Sequence, residues 1–135
     1  MPVARTGRTT TTLLESAGGQ EREPESTMSG SFRADVRRVD GGVVVRLQGE
    51  LDVYSAPMLR RAFVDFKHGQ GVTVVVDLAR LTFMDAAGLG ALLTAKRDVV
   101  ARGGQMVLHA PSPAVSRVIQ ITGIANRFTI ARHDA

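Results

Sequence analysis

The sequence predicts an α/β fold, a single domain with a mixed β-sheet, elements in the order β-β-α-β-α-β-α-β, and helices packed on the sheet. Three observations predict it. A β-branched run from Val72 to Asp77 is typical of a strand buried on both faces. Apolar residues at helical spacing follow it and stop at Gly103-Gly104. A hairpin pattern around Asp40-Gly41-Gly42 opens the domain.

The first 30 residues are predicted to be a disordered extension, ahead of a domain at residues 31–132. They are rich in Thr, Ser, Gly and Glu, and their apolar content is too small to offset the entropy of ordering. Met28 lies just before the first predicted strand. Two interpretations stay open: translation starts at Met28, or the upstream segment is a genuine tail whose hydroxyl groups have a role.

The opening hairpin leads into the first helix. Phe32 to Val39 alternates apolar and polar residues, and Val43 to Leu47 returns as the second strand. Ser55 is predicted to cap a helix that runs from Pro57 to Lys67, because serine suits the N-cap and proline suits the first turn.

The central segment consists of a strand, a turn and a helix, with the turn at Phe83–Gly90. Asp85 is predicted to cap the helix, its carboxylate accepting from amides near Ala87 and Gly88. With glycine at positions 88 and 90, little side-chain cover is expected over the first helical turn. The unpaired amides and the helix dipole there favour an anion or a polar group of a partner.

The C-terminal part adds a strand, a helix and a last strand. Gln105 to His109 has the apolar character of a buried strand. Ser112 is placed to cap a helix with Pro113 in its first turn, and Gly123 is placed to end it. A short strand is predicted within Ile124 to Ile130.

Composition argues against most catalytic chemistry. The chain of 135 residues has no cysteine, and His68, His109 and His133 are not spaced as a metal pair. The tight turn after the central strand presents alanine where a nucleophile elbow needs serine, and no Walker-type lysine follows the glycines. We therefore expect no enzyme activity, no cofactor and no metal. A membrane-spanning run and a signal-peptide pattern are also missing, so we expect a cytoplasmic protein that does not bind membranes.

The formal charge of +4 raises the possibility of nucleic-acid binding. The arginines that would form a basic stripe are Arg33, Arg37, Arg38, Arg46, Arg60 and Arg61. The chain has one Tyr and no Trp, and it lacks a helix-turn-helix or an aromatic strand pattern. Direct nucleic-acid binding is therefore not expected, whereas an acidic protein partner would suit this surface.

Several stretches resemble one family. Leu81–Gly90 resembles the hallmark turn of the STAS domain, in particular that of bacterial anti-sigma-factor antagonists. Gly49–Pro57 resembles the first strand-to-helix junction of the family, and Gly103–Leu108 with Pro111–Val115 resembles its fourth strand and the start of its last helix. The resemblance covers Phe32 to Ile130, with the motifs in the order of the family.

The resemblance implies a non-catalytic antagonist that binds an anti-sigma factor of the serine-kinase type and releases a sigma factor for transcription. The partner-binding residues that it implies are Asp52, Tyr54, Ser55, Asp85, Ala86, Ala87, Gly88, Gly90, Ala91, Thr94 and Arg97. Leu89 and Leu93 are expected to face mostly inward. A weak homodimer is left open, as is an alternative role as a scaffold or accessory STAS subunit of a signalling or transporter complex.

One position departs from the family pattern. Phosphorylation-controlled members have a serine at the second position after the aspartate, and Ala87 stands there, preceded by Ala86. Neither residue can carry a phosphoryl group, so the usual switch is missing from this turn. Three interpretations are open: the alanines are packing residues of a degenerate module, they keep the domain in the unphosphorylated, binding-competent state, or the domain is a scaffold.

Overall fold

In a computed structural model of the chain, the described residues are 10, 12–16, 25–29, 31–65 and 71–131. They form a six-stranded sheet with helices on it. The strands are β1 (Glu25–Ser29), β2 (Phe32–Val39), β3 (Gly42–Leu51), β4 (Thr73–Met84), β5 (Gln105–His109) and β6 (Thr129–Ala131). The helices are α1 (Ala56–Asp65), α2 (Ala86–Ala101) and α3 (Pro113–Ile121), and a 3-10 turn occupies Ala125–Arg127.

The strands lie in the sheet in chain order, from β1 to β6. The first three pair antiparallel, whereas β3 to β6 pair parallel through the helical crossovers. From β2 onward, the element order is the predicted β-β-α-β-α-β-α-β, so the predicted α/β fold with a mixed sheet is confirmed.

The N-terminal segment differs from the predicted disorder at the residues that are described. Residues 12–16 are helical, and Leu13 is buried against Val44 and Val75. Strand β1 pairs with β2 from Glu25↔Val36 to Ser29↔Phe32. The burial of Leu13 and the pairing of β1 with β2 hold these two segments on the sheet. Amino-acid composition does not predict either contact. The rest of the predicted extension lies outside the described residues.

The three helices cover one face of the sheet. Val45, Val76 and Leu108 belong to the same buried core as Leu92 of α2 and Ile119 of α3. On the opposite face, Val44 and Val75 are buried under Leu13. Both faces of the central strand are therefore covered, as its run of valines predicts.

Strand β4 extends beyond the apolar segment, Val72 to Asp77, from which it was predicted. The run was predicted to end at Asp77, but the strand continues to Met84 because it stays paired with β3 as far as Leu51. Two register shifts, between Arg46 and Gln48 and between Gly49 and Glu50, interrupt this pairing. These shifts interrupt the regular alternation of buried and exposed residues by which a strand is predicted from sequence.

The predicted turns and caps are largely confirmed. Gly41 has a φ of +87° beside the closing Val39↔Gly42 pair, and Gly103 has a φ of +80° at the end of α2. The hydroxyl of Ser112 accepts from the amide of Val115 at 3.3 Å and donates to the carbonyl of Leu81 at 2.9 Å. Ser112 thus caps α3 and ties it to β4. The predicted end of α1, at Lys67, lies outside the described residues.

Candidate docking site

The candidate site lies where two neighbouring parallel strands end. Leu51, the last residue of β3, pairs with Met84, the last residue of β4. Asp52 and Asp85 are the next residues along each strand, so the two loops begin side by side. The amide of Asp85 donates to the carbonyl of Leu51 at 3.2 Å. The Asp52 loop and the turn at Asp85, which the sequence analysis grouped in one set of partner contacts, are therefore adjacent.

Asp85 caps α2 as predicted. Its backbone is extended, with φ −108° and ψ −173°, and its carboxylate accepts from the amide of Gly88 at 2.9 Å. Its carbonyl accepts from the amide of Leu89 at 3.0 Å. One side chain thus sets where the helix begins and satisfies one of its unpaired amides.

Gly88 does not leave the first turn open, contrary to the prediction. It is buried, and a Cβ on it would lie 2.5 Å from the carbonyl oxygen of Leu51 and 2.8 Å from the Cγ of the same residue. Glycine is needed there because the helix packs directly on the end of β3. Gly90 is different: it is exposed, and beyond its own helix a Cβ would meet no described atom within 4 Å.

The exposed face of α2 includes most of the predicted contacts but not all. Ala86, Gly90 and Thr94 are exposed, and Ala87 is partly exposed. The prediction that Ala91 faces outward is wrong, because only 1% of its surface is accessible. It lies one turn after Gly88 on the stripe that packs against the sheet, which consists of Gly88, Leu89, Ala91, Leu92, Ala95 and Val99. Leu89 is buried and Leu93 partly buried, as expected.

The loop after β3 is held by its own side chains. The carboxylate of Asp52 accepts from the amides of Tyr54 and Ser55 at 2.9 and 3.0 Å. The buried hydroxyl of Ser55 accepts from the amide of Asp52 and donates to the carbonyl of Glu50, both at 2.8 Å. Ser55 was predicted as a helix cap, but its hydroxyl is used within the loop. The donated hydrogen bonds, led by that of the Ser55 amide, lower the pKa of Asp52, so the loop presents an anion.

Large apolar side chains are exposed at the same end of the sheet. Tyr54 is 84% exposed, Val53 57% and Phe83 46%. Tyr54 was predicted as a contact, whereas Val53 and Phe83 were missed, although Val53 follows Asp52 and Phe83 lies two residues before Asp85. Exposed apolar groups beside fixed charges are typical of a surface that docks a protein.

We call this set of exposed and partly exposed residues the carboxyl-end surface. It consists of Asp52, Val53, Tyr54, Phe83, Asp85, Ala86, Ala87, Gly90 and Thr94. Arg97, the last predicted contact, is also exposed but lines a different groove, nearer the far end of α2. The surface offers an anionic carboxylate, exposed apolar side chains and a capped helix start.

Neither a metal cluster nor a membrane span is found in the described part of the chain. Within residues 10, 12–16, 25–29, 31–65 and 71–131, no three His, Asp or Glu side chains are grouped as metal ligands would be. Among the same residues, no helix has the length and apolar character to cross a bilayer.

Comparison with known proteins gives one consistent family. The sequence profile of the STAS domain matches residues 33–134. The anti-sigma-B factor antagonist of Bacillus subtilis is 32% identical over 101 residues, which are 75% of this chain and 92% of that protein.

Solved structures agree with the sequence match. An anti-sigma factor antagonist from Mycobacterium paratuberculosis superposes with a TM-score of 0.64 at 28% identity, covering 77% of this chain and 90% of the other. The Bacillus cell fate determinant SpoIIAA in its phosphorylated form superposes with a TM-score of 0.54 at 28% identity, covering 74% and 92%.

Proposed function

The chain belongs to the STAS domain family, and we propose that it is an anti-sigma-factor antagonist that docks on its partner through the carboxyl-end surface. The observation that carries this proposal is the junction of the Asp52 loop with the start of α2, closed by the bond between Asp85 and Leu51. Because of it, the loop that holds the anionic Asp52 and the exposed ring of Tyr54 begins next to the first turn of α2. Relatives that carry the antagonist name support the same role.

We propose that the partner is an anti-sigma factor of the serine-kinase type, and that docking releases a sigma factor by partner switching. The existence of SpoIIAA in a phosphorylated form supports a phosphorylating partner within the family. In this role the protein works in the cytoplasm, where sigma factors act, and has no catalytic step of its own.

The alanines of the first helical turn make this antagonist differ from phosphorylation-controlled relatives. Ala87, at the position of the family's serine, is partly exposed, its neighbour Ala86 is exposed, and neither has a hydroxyl that could take a phosphoryl group. We propose that the carboxyl-end surface stays competent for docking, because about two negative charges can no longer be added at this turn.

The test uses the full chain with candidate serine-kinase anti-sigma factors and labelled ATP, measuring complex formation and label transfer together. Binding without label transfer is the expected result. Ala87→Asp is expected to abolish binding, since it puts a fixed charge on the surface, whereas Arg117→Glu on the exposed side of α3 is the control and is expected to keep it. Unchanged affinity of Ala87→Asp would refute the surface assignment.

A second candidate function is a scaffold or accessory subunit of a larger complex. The missing hydroxyls at Ala86 and Ala87 favour it, because a scaffold needs no switch. It predicts stable co-purification with a complex that contains no kinase, and no binding to any of the candidate anti-sigma factors.

A further inference from the structure

A second surface lies along the distal half of α2, beside the 3-10 turn. We call it the α2–turn groove. It has a volume of about 320 Å³ and is lined by Leu93, Lys96, Arg97, Val100, Ala101 and Arg127. None of these residues belongs to the carboxyl-end surface, so the groove needs a separate explanation.

The groove runs from the middle of α2 to its C-terminal end, whereas the carboxyl-end surface is centred on the start of the helix. The helix begins after Asp85, beside the carboxyl ends of β3 and β4. Its other end lies beside the start of β4, where the carbonyl of Arg102 accepts from the amide of Gly71 at 3.0 Å. With a rise of about 1.5 Å per residue, Val100 lies about 22 Å along the helix from Asp85. One small ligand cannot occupy both places.

The groove combines an apolar floor with a cationic rim. Leu93 packs against the core and is partly exposed, and Val100 is 51% exposed. The rim consists of Lys96, Arg97 and Arg127. The described residues that line it include no carboxylate, and Asp98, the neighbour of Arg97 on the helix, is not among them. The local charge therefore favours an anionic ligand with an apolar side.

The groove is shaped before anything binds. The ammonium group of Lys96 donates to the carbonyl of Arg127 and lies 5.7 Å from the centre of the Phe128 ring. Phe128 is itself buried in the core. These contacts tie the turn to the helix. Within the described residues the partners of Lys96 are a neutral carbonyl and a ring, and neither one neutralises its positive charge. A preformed wall lowers the ordering cost that a partner must overcome.

We propose that the α2–turn groove binds an acidic amphipathic helix of a partner protein. Aliphatic side chains of that helix cover Val100 and Leu93, while carboxylates one turn apart meet Arg97 and Arg127. The floor is aliphatic rather than aromatic, so it offers no stacking platform for the bases of a single-stranded nucleic acid. The inference does not depend on the proposed anti-sigma role, because the residues that carry it are different.

The experiment titrates the full chain with a fluorescein-labelled amphipathic peptide of about five helical turns, with leucine on one face and glutamate on the other. A second peptide carries lysine in place of every glutamate. The glutamate peptide is expected to bind, and the lysine peptide is not. Arg127→Glu and Val100→Ser are each expected to weaken binding about ten-fold or more. Arg61→Glu, an equal charge change at an exposed position of α1, is expected to leave binding unchanged.

Four results would overturn the proposal. The first is no binding of the glutamate peptide to the wild-type chain at millimolar concentration. The second is equal weakening by Arg61→Glu, which indicates general charge attraction. The third is displacement of the peptide by a single-stranded oligonucleotide with higher affinity, which indicates a nucleic-acid surface. The last is a wild-type dimer in sedimentation equilibrium that Val100→Ser dissociates, which makes the groove a contact between two copies.

Discussion

The amide of Asp85 donates a hydrogen bond to the carbonyl of Leu51 across 3.2 Å, joining the end of β3 to the first residue after β4. The same carbonyl oxygen would lie only 2.5 Å from a Cβ at residue 88. Leu51 therefore sets both the exit of the turn from the sheet and the distance between the sheet and α2. The loop and the helix start that form the carboxyl-end surface share this one backbone anchor.

Gly88 and Gly90, both near the start of α2, should respond oppositely to the same substitution. In an exposed helix, Gly→Ala stabilises by about 0.5–1 kcal/mol because alanine loses less backbone entropy. Gly90→Ala should show this gain, since its Cβ would point into open space. Gly88→Ala should instead destabilise by about 1–3 kcal/mol, because the new methyl group would overlap the backbone of Leu51. Urea unfolding followed by circular dichroism measures both, and a gain for Gly88→Ala would contradict the close packing.

The cap of α2 should depend on the acceptor oxygen of Asp85 rather than on its charge. Asp85→Ala removes the bond to the amide of Gly88 and should cost about 1 kcal/mol of unfolding free energy. Asp85→Asn is the matched control, since asparagine is as good an N-cap as aspartate. Thermal or urea unfolding of the two variants provides the comparison, and equal losses would show that the charge matters more than the cap.

Local signals account for the parts of the fold that the sequence predicts well. The Asp40-Gly41 turn, the cap at Ser112 and the glycine after α2 each depend on residues within a few positions of one another. Sheet and helices follow because the hydrophobic period changes between strand and helix at these turns. The resemblance to the family motif then predicts the candidate site at the turn after β4.

The features that were not predicted from the sequence depend on contacts between residues that are far apart in the chain. Strand β1 has no apolar alternation, and it exists through its pairing with β2. Leu13 is one apolar residue in a polar segment, and its burial depends on Val44 and Val75. Ala91 was assigned to the wrong face because the phase of a helix is set by what it packs on, here the sheet beneath Gly88. None of these contacts leaves a local pattern.

Because the pKa of Asp52 is lowered in the folded state, the free energy of unfolding should depend on pH through this residue. Hydrogen bonds from the loop amides favour its ionised form in the folded state. The ionised carboxylate therefore stabilises the fold at any pH above 3.8, the ordinary pKa of an aspartate. This stabilisation is lost as the pH falls through the lower pKa of the folded state. The free-energy difference between wild type and Asp52→Asn should be largest near neutral pH and shrink at acid pH. An NMR titration of the Asp52 carboxyl group with a midpoint at or above 3.8 would contradict this.

The first turn of α2 should become a phosphorylation site if a serine replaces Ala87. Ala87→Ser places a hydroxyl two residues after Asp85, at a partly exposed position. Incubated with a cognate serine-kinase anti-sigma factor and labelled ATP, this variant should take up label and then dissociate, whereas the wild type should stay bound. Ala86→Ser is the matched control, because it adds the same hydroxyl one residue earlier and should remain unlabelled. Label on the wild-type chain, or equal label on both variants, would show that the switch does not depend on position 87.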